Sequence, residues 1–309
     1  MAMNRRNFLK SFSAGAVASV IPSWLSGCAH APVRPDGSAE PRPVESLLKD
    51  GARTMWCAPH PDDECFSGTL LARSSIYYRN PLFFLILTHG DGGQCCLPEG
   101  CHPDLATVRG REMAQVAERY HAELQHEHFF NAPLPVESFP LRHEIYAKWC
   151  AQGDPQGLVV TAIRRFKPDL LVTFHPDFGA TGHPEHQLAA RLATTGARLA
   201  ADPNVEAGGL PPHRVTRLYW VLNRFWLLRM FGRCDPGPVT EVWDAHARCT
   251  EEMNCRDFMV EATRLHRTQD ADMSMVRRMQ AAFGTMYLRQ VDYHAVSKPP
   301  DEVATERTI

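Results

Sequence analysis

From Thr54 onward the chain alternates short, wholly apolar runs with longer stretches in which apolar residues recur every three or four positions. That alternation is the mark of βαβ units and predicts an α/β fold, a mostly parallel sheet with helices on both faces. Thr54 to Ala58 reads as the first strand. Leu82 to Thr88, an unbroken Leu-Phe-Phe-Leu-Ile-Leu-Thr, reads as a strand buried on both sides, and Asp169 to Phe174 as another. Helices are predicted from Glu64 to about Arg79, from Val108 to about His121 and from Gly157 to Phe166. A further helix runs from Pro184, whose fixed φ suits a first helical turn, to about Ala201. Short strands are expected at His128 to Asn131 and Val215 to Val221, with helical stretches near Ala247 to His266 and Ala271 to Phe283. Residues 89–107 carry Gly90, Gly92, Gly93 and Gly100, and a loop of that length in a compact domain is usually functional or disordered.

The first 50 residues do not follow this pattern. Arg5-Arg6-Asn7-Phe8-Leu9-Lys10 precedes a mildly apolar run from Ser11 to Leu25, too short and too rich in Ser, Ala and Gly for a membrane span, so residues 1–28 read as a signal peptide. Its twin arginines resemble the signal for export of folded proteins, and Leu25-Ser26-Gly27-Cys28 resembles a lipobox in which Cys28 is lipidated. The expectation is an exported protein, periplasmic or at the cell surface, anchored to a membrane through Cys28. Pro32, Pro35, Pro41 and Pro43 make 29–50 an extended tether; the globular domain is expected at 51–295, and 296–309 as a flexible tail. Lys and Arg number 33 against 35 Asp and Glu, so no basic field exists to gather nucleic acid, and none is expected as a partner. An exported chain can keep disulfides, which makes a bridge within Cys95, Cys96 and Cys101 the economical reading of that loop. Cys57, inside an apolar strand, reads as a small buried hydrophobe.

Two clusters carry chemistry. Ala58-Pro59-His60-Pro61-Asp62-Asp63-Glu64 lies between the first strand and the first helix, and Gly182-His183-Pro184-Glu185-His186 occupies the same kind of junction after the strand ending at Phe174. In open α/β sheets ligands bind at the carboxyl ends of strands, so both junctions can face one cleft. His60, one of Asp62 and Asp63, and one of His183 and His186 would give a divalent metal two imidazoles and a carboxylate, with positions left for water and substrate. The remaining carboxylate and imidazole are the base and acid a hydrolase needs. A lone acid at a helix start is usually a cap, but capping explains neither three successive acids after His-Pro nor a second His-Pro-acid-His elsewhere.

These motifs resemble the PIG-L family of N-acetylglucosaminyl deacetylases, also called LmbE-like, over roughly residues 53–200. The resemblance implies a Rossmann-like fold with a metal site at the C-terminal ends of the strands. It also implies a zinc-dependent amidase, sometimes loaded with ferrous iron, that removes an N-acetyl group from an amino-sugar conjugate by attack of water activated at the metal. Matched by position, His60, Asp63 and His186 would be metal ligands and Asp62 the general base. His183 would stabilise the oxyanion or protonate the amine, and Glu185 would hold it charged; Thr181 stands where relatives often have a Tyr or acid. Asp91, in Thr88-His89-Gly90-Asp91, matches a contact to sugar hydroxyls, and Arg109 matches an arginine near the substrate. Two rivals stand beside this reading: an exported solute- or metal-binding lipoprotein without turnover, and a non-haem iron oxygenase built on His60-Pro61-Asp62, whose jelly-roll fold would show many short strands. Trp220, Phe225, Trp226 and Phe231 read as core before they read as a sugar platform.

Overall fold

The computed structural model describes residues 43–224, 235, 237–278 and 284–304. The signal peptide, Cys28, residues 29–42 of the tether, Phe225, Trp226, Phe231 and residues 305–309 lie outside that range. Among the described residues no helix is long and apolar enough to cross a membrane.

Among the described residues seven strands form a single sheet. In chain order they are β1 Thr54–Ala58, β2 Leu82–Ile86, β3 Ala122–His126, β4 Leu170–Phe174, β5 Arg217–Leu222, β6 Glu241–Asp244 and β7 Thr285–Val291, arranged β3-β2-β1-β4-β5-β7-β6. The first five are parallel; β7 pairs antiparallel with both β5 and β6. The chain starts in the middle, winds outward through β2 and β3, then returns to lay β4 against the free side of β1. This reversal opens a crevice between the carboxyl ends of β1 and β4, the position where doubly wound sheets bind ligands.

Every residue of β1, β2 and β4 is buried, because the two faces of the pleat meet separate helical layers. Met55, Cys57, Phe83, Leu85 and Leu171 face Ile145, Trp149, Val159, Ile163, Leu188 and Leu192, from α4 Arg142–Gln152, α5 Pro155–Phe166 and α6 Pro184–Ala201. Trp56, Phe84, Ile86, Leu170, Val172 and Phe174 face Val44, Leu48, Leu70, Met113, Val116 and Phe258. These come from α1 Val44–Lys49, α2 Gly68–Ala72, α3 Leu105–Arg119 and α7 Cys255–Ala262; α8 Asp270–Arg278 follows α7. The period-two alternation inside continuous apolar runs therefore serves two cores at once. The α/β expectation holds, and it excludes the jelly roll of the oxygenase rival.

Several local expectations shift. The helix predicted from Glu64 to Arg79 is broken into a 3₁₀ turn Asp63–Phe66, the short α2 and a π turn Arg73–Tyr77, because its first acids turn inward toward buried histidines rather than out to solvent. The strand placed at His128–Asn131 lies instead at Ala122–His126, whose polar Glu123 and Gln125 fit a half-exposed edge strand. The long helix predicted from Ala247 begins only at Cys255; an Arg248 to Asn254 bridge folds the preceding residues into a hairpin. Val44–Lys49 is a packed helix, not tether, since Val44 and Leu48 bury against the sheet. Nor is 296–304 loose: Thr195 Oγ1 donates to Lys298 O at 3.1 Å, Lys298 Nζ meets Asp177 Oδ2 at 2.7 Å, and Arg191 pairs with Glu302. Cys95 and Cys101 form a disulfide, as the loop composition suggested, and Cys57 is buried as a free thiol.

Candidate metal centre and active site

Both sequence clusters sit at the crevice. After β1 the chain turns through Pro59 and Pro61, and Asp62 adopts a left-handed conformation with φ 97°, rare for a residue with a side chain. The turn lets the Asp63 carboxylate fold back to accept the backbone N–H of His60 at 2.9 Å. After β4 a one-turn helix, Gly179–Gly182, leads into α6. Gly179 is required there: its φ is +56°, and a Cβ would lie 2.7 Å from His186 Cβ and 3.0 Å from Gln187 N. Farther along, the last carbonyls of α6 are held by the buried Arg164, which donates to Leu199, Ala200 and Asp202, so the helix carrying the histidines is fixed at its far end too.

Three donor atoms converge. His60 Nδ1 lies 3.2 Å from both His186 Nε2 and Asp63 Oδ2, and His186 Nε2 lies 3.0 Å from Asp63 Oδ1. The outer nitrogen of each ring is committed elsewhere: His186 Nδ1 meets Gly179 O at 2.8 Å, and His60 Nε2 meets Glu185 Oε2 at 2.5 Å. Gly179 O can only accept, which puts the proton on Nδ1 and aims the lone pair of Nε2 inward; Glu185 does the same to Nε2 of His60. Two inward lone pairs facing one carboxylate at about 3 Å are a donor set for a cation, and outer hydrogen bonds of this kind are what orient metal-binding imidazoles. The residues present fit a divalent metal on His60, Asp63 and His186. A second grouping, His60, His183 and Glu185, also falls within ligand distance, but it would take Glu185 from its other donors.

The surrounding carboxylates make the centre attractive to positive charge, a proton on His60 included: burial works against a charged His60, yet Asp63 and then Glu185 push it up to about 10. Burial would likewise raise Asp63, but His186 and His60 hold its carboxyl well below the usual range. Desolvation and the Asp63 charge together push Asp62 up to about 8.

His183 sits over this centre, its ring 4.7 Å from that of His60 and 5.0 Å from that of His186. Its Nδ1 accepts the Glu185 N–H at 3.2 Å as the cap of α6, which leaves Nε2 as its donor.

Glu185, expected beside His183 to hold it charged, lies with a ligand atom within 4.8 Å of that ring's and has further partners. Its carboxylate accepts from His60 Nε2, from Asn131 Nδ2 at 2.7 Å and from Ala132 N at 2.7 Å. Arg109, matched to an arginine near the substrate, is buried and donates to the carbonyls of Gly90 and Gln94, pinning the 90–94 loop. Asp91 is half-exposed on that loop, with His128 Nε2 3.4 Å away, consistent with a place on the rim. Three residues that no local motif marks complete the site: Asn131 behind Glu185, His266 paired at 2.8 Å with Glu64 of the first motif, and Gln269 on Asp62.

A doubly wound sheet with two imidazoles and a carboxylate converging at its switch point defines an α/β protein with a donor set shaped for a divalent metal. The GlcNAc-PI de-N-acetylase (PIG-L) family profile matches residues 55–197, the span that contains both clusters. A 1D-myo-inositol 2-acetamido-2-deoxy-alpha-D-glucopyranoside deacetylase 2 of Catenulispora acidiphila is 30% identical over 308 residues, covering 88% of this chain and 96% of its own. A deacetylase of the same description from Streptomyces scabiei is 30% identical over 221 residues, 65% of this chain and 67% of that one. The chain belongs to the PIG-L family. Among solved structures, N,N'-diacetylchitobiose deacetylase from Pyrococcus horikoshii superposes with a TM-score of 0.58 at 17% identity, covering 81% of this chain and 88% of that one. A 4-carboxy-2-hydroxymuconate hydratase from Pseudomonas putida reaches 0.55 at 14% identity, covering 77% and 95%. The fold is thus shared by proteins named for different reactions, and function has to be argued from the site.

Proposed function

We propose that this protein is a metal-dependent hydrolase that removes an acetyl group from the nitrogen of an amino-sugar conjugate. The observation that carries the reading is the convergence of His60, Asp63 and His186, with the carboxylate of Asp62 and the imidazole of His183 left over beside them. A protein that only captured a solute or a metal would need neither leftover group. The names of the Catenulispora and Streptomyces relatives support an N-acetylglucosamine conjugate as substrate.

When bound, Zn²⁺ or Fe²⁺ supplies Lewis acidity for the acyl oxygen and acidifies water within its reach. Asp62 takes the proton of the attacking water, a task suited to a carboxylate whose basicity burial has raised. Through Nε2, His183 donates to the oxygen that gains charge or to the departing nitrogen, and its Nδ1 contact to the helix start fixes the ring. Glu185 fixes the ring of His60, and Arg109 steadies the loop bearing Asp91, where sugar hydroxyls would meet the rim. The twin arginines and Cys28, outside the described residues, support an exported enzyme tethered to a membrane.

Amine release should be measured with the metal-loaded protein on N-acetylglucosamine, N,N'-diacetylchitobiose and the acetamidoglucosyl-inositol named by the relatives. Release from at least one, abolished by chelator and restored by metal, is the expected result. No release from any of them by protein carrying one metal per chain would favour capture without turnover. Glu185→Gln is expected to weaken metal binding by about 10–100-fold, the usual cost of losing a partner behind a ligand; competition titration with a chromophoric chelator reads it, and unchanged affinity would show that His60 is oriented without it.

A further inference from the structure

Among the described residues, one segment of the C-terminal third is bonded to the turn that carries Asp62. Between α7 and α8 the chain makes two 3₁₀ turns, Thr263–Leu265 and Arg267–Gln269, and the residues from His266 to Gln269 are bonded to three other parts of the molecule. His266 Nε2 meets Glu64 Oε1 at 2.8 Å, both residues being fully buried. Thr268 donates its backbone N–H and its hydroxyl to Glu112 on α3, at 3.0 and 2.6 Å, and its carbonyl accepts from Cys96 N at 3.0 Å. Gln269 Nε2 lies 2.6 Å from Asp62 Oδ2 and 3.0 Å from Pro61 O. Both of those atoms accept, so the Gln269 amide satisfies the pair with its NH₂ turned toward them.

Asp62 needs such a partner. In its left-handed conformation it belongs to no helix or strand that would fix its side chain, and its backbone N–H is already taken by Glu64 Oε2 at 3.1 Å. Gln269, 6% exposed and more than 200 residues away in sequence, grips one carboxylate oxygen and the carbonyl that precedes it. We propose that Gln269 is a positioning residue for hydrolysis. It occupies Oδ2 of Asp62 and holds the carboxylate in one rotamer, so that Oδ1 is the oxygen that takes the proton from water. This rests on the reading of Asp62 as the base. The His266–Glu64 and Thr268–Glu112 contacts carry no part of the chemistry; they keep the segment close enough for a bond that a shift of 1 Å would break.

The test is a double-mutant cycle with Gln269→Met, which keeps length and volume and removes the donor, and Asp62→Asn. The probe is amine release from acetamidoglucosyl-inositol, with metal per chain and melting temperature measured on every variant. Gln269→Met is expected to lower kcat by about 10–100-fold, the cost of a misplaced reacting group, with KM within about threefold and metal content unchanged. In the Asp62→Asn background the same change should cost almost nothing, because the group it positions is gone. Equal losses in both backgrounds would overturn the proposal, as would unchanged kcat in Gln269→Met. A loss explained wholly by missing metal, with kcat per bound metal preserved, would also overturn it. Gln269→Asn, too short to span the gap, should repeat the Met result and guards against an effect of the thioether itself. Should Asp62→Asn alone remain active, the base assignment fails, a result distinct from failure of the cycle.

Discussion

Asp62→Asn should lower kcat by about 10²–10⁴-fold, the range that a positioned general base contributes, while the protein keeps its fold and its metal. The substitution is a clean one here for three reasons. Asn tolerates the left-handed backbone that Asp62 adopts at φ 97°, so the turn after β1 is not strained further. Its amide oxygen can still accept from Gln269 Nε2, which preserves the contact to the C-terminal segment. And Asp62 is not one of the three groups that converge, so the set of His60, Asp63 and His186 is untouched. What disappears is the ability to take a proton. Steady-state kinetics together with metal analysis checks it: a variant that holds metal as wild type does and turns over within about threefold of it would remove Asp62 from the base role and point to His183 or an outside buffer instead.

How much of this could be read before the fold was known depends on how far each interaction reaches along the chain. Strands β1, β2 and β4 were legible because burial on both faces leaves an unbroken apolar run, and α6 because Pro184 marks its first turn. Edge strand β3, with Glu123 and Gln125 inside it, and the antiparallel pair β6 and β7 lack such a run and were misplaced or missed. The two junction motifs were legible for the same local reason: each is contained within a few residues of a strand end. What joins them is not local. Glu185 reads locally against the neighbour two residues before it, yet its oxygens also go to His60, 125 positions back, and to Asn131 and Ala132 in the loop after β3. Gln269 and His266 reach back 207 and 202 positions to Asp62 and Glu64, and no spacing rule connects them. The sequence signals the groups that bind and react more openly than those that orient them, because an orienting hydrogen bond needs only one amide or carboxylate in the right place in space.

His186→Ala tests the centre itself. The imidazole supplies one of three donors, and loss of a ligand should cost more than the 10–100-fold typical of an outer partner, so the variant is expected to purify without stoichiometric metal and without measurable amine release. Structural collapse is the competing explanation, since His186 is buried and its ring stacks on Phe174 at 4.4 Å, and truncation there leaves a cavity costing on the order of 2–4 kcal/mol. Thermal melts with and without chelator separate the two. A metal that binds only the folded state raises its melting temperature by mass action, so chelator should lower the melting point of the wild type. In His186→Ala the same addition should change nothing, whatever the cavity has already cost. If the variant carries a full complement of metal and its melting point still falls on chelation, His186 is no ligand, and the cation belongs to the neighbouring set of His60, His183 and Glu185. That would invert the roles of the two imidazoles of α6, making His186 the free donor over the reacting bond.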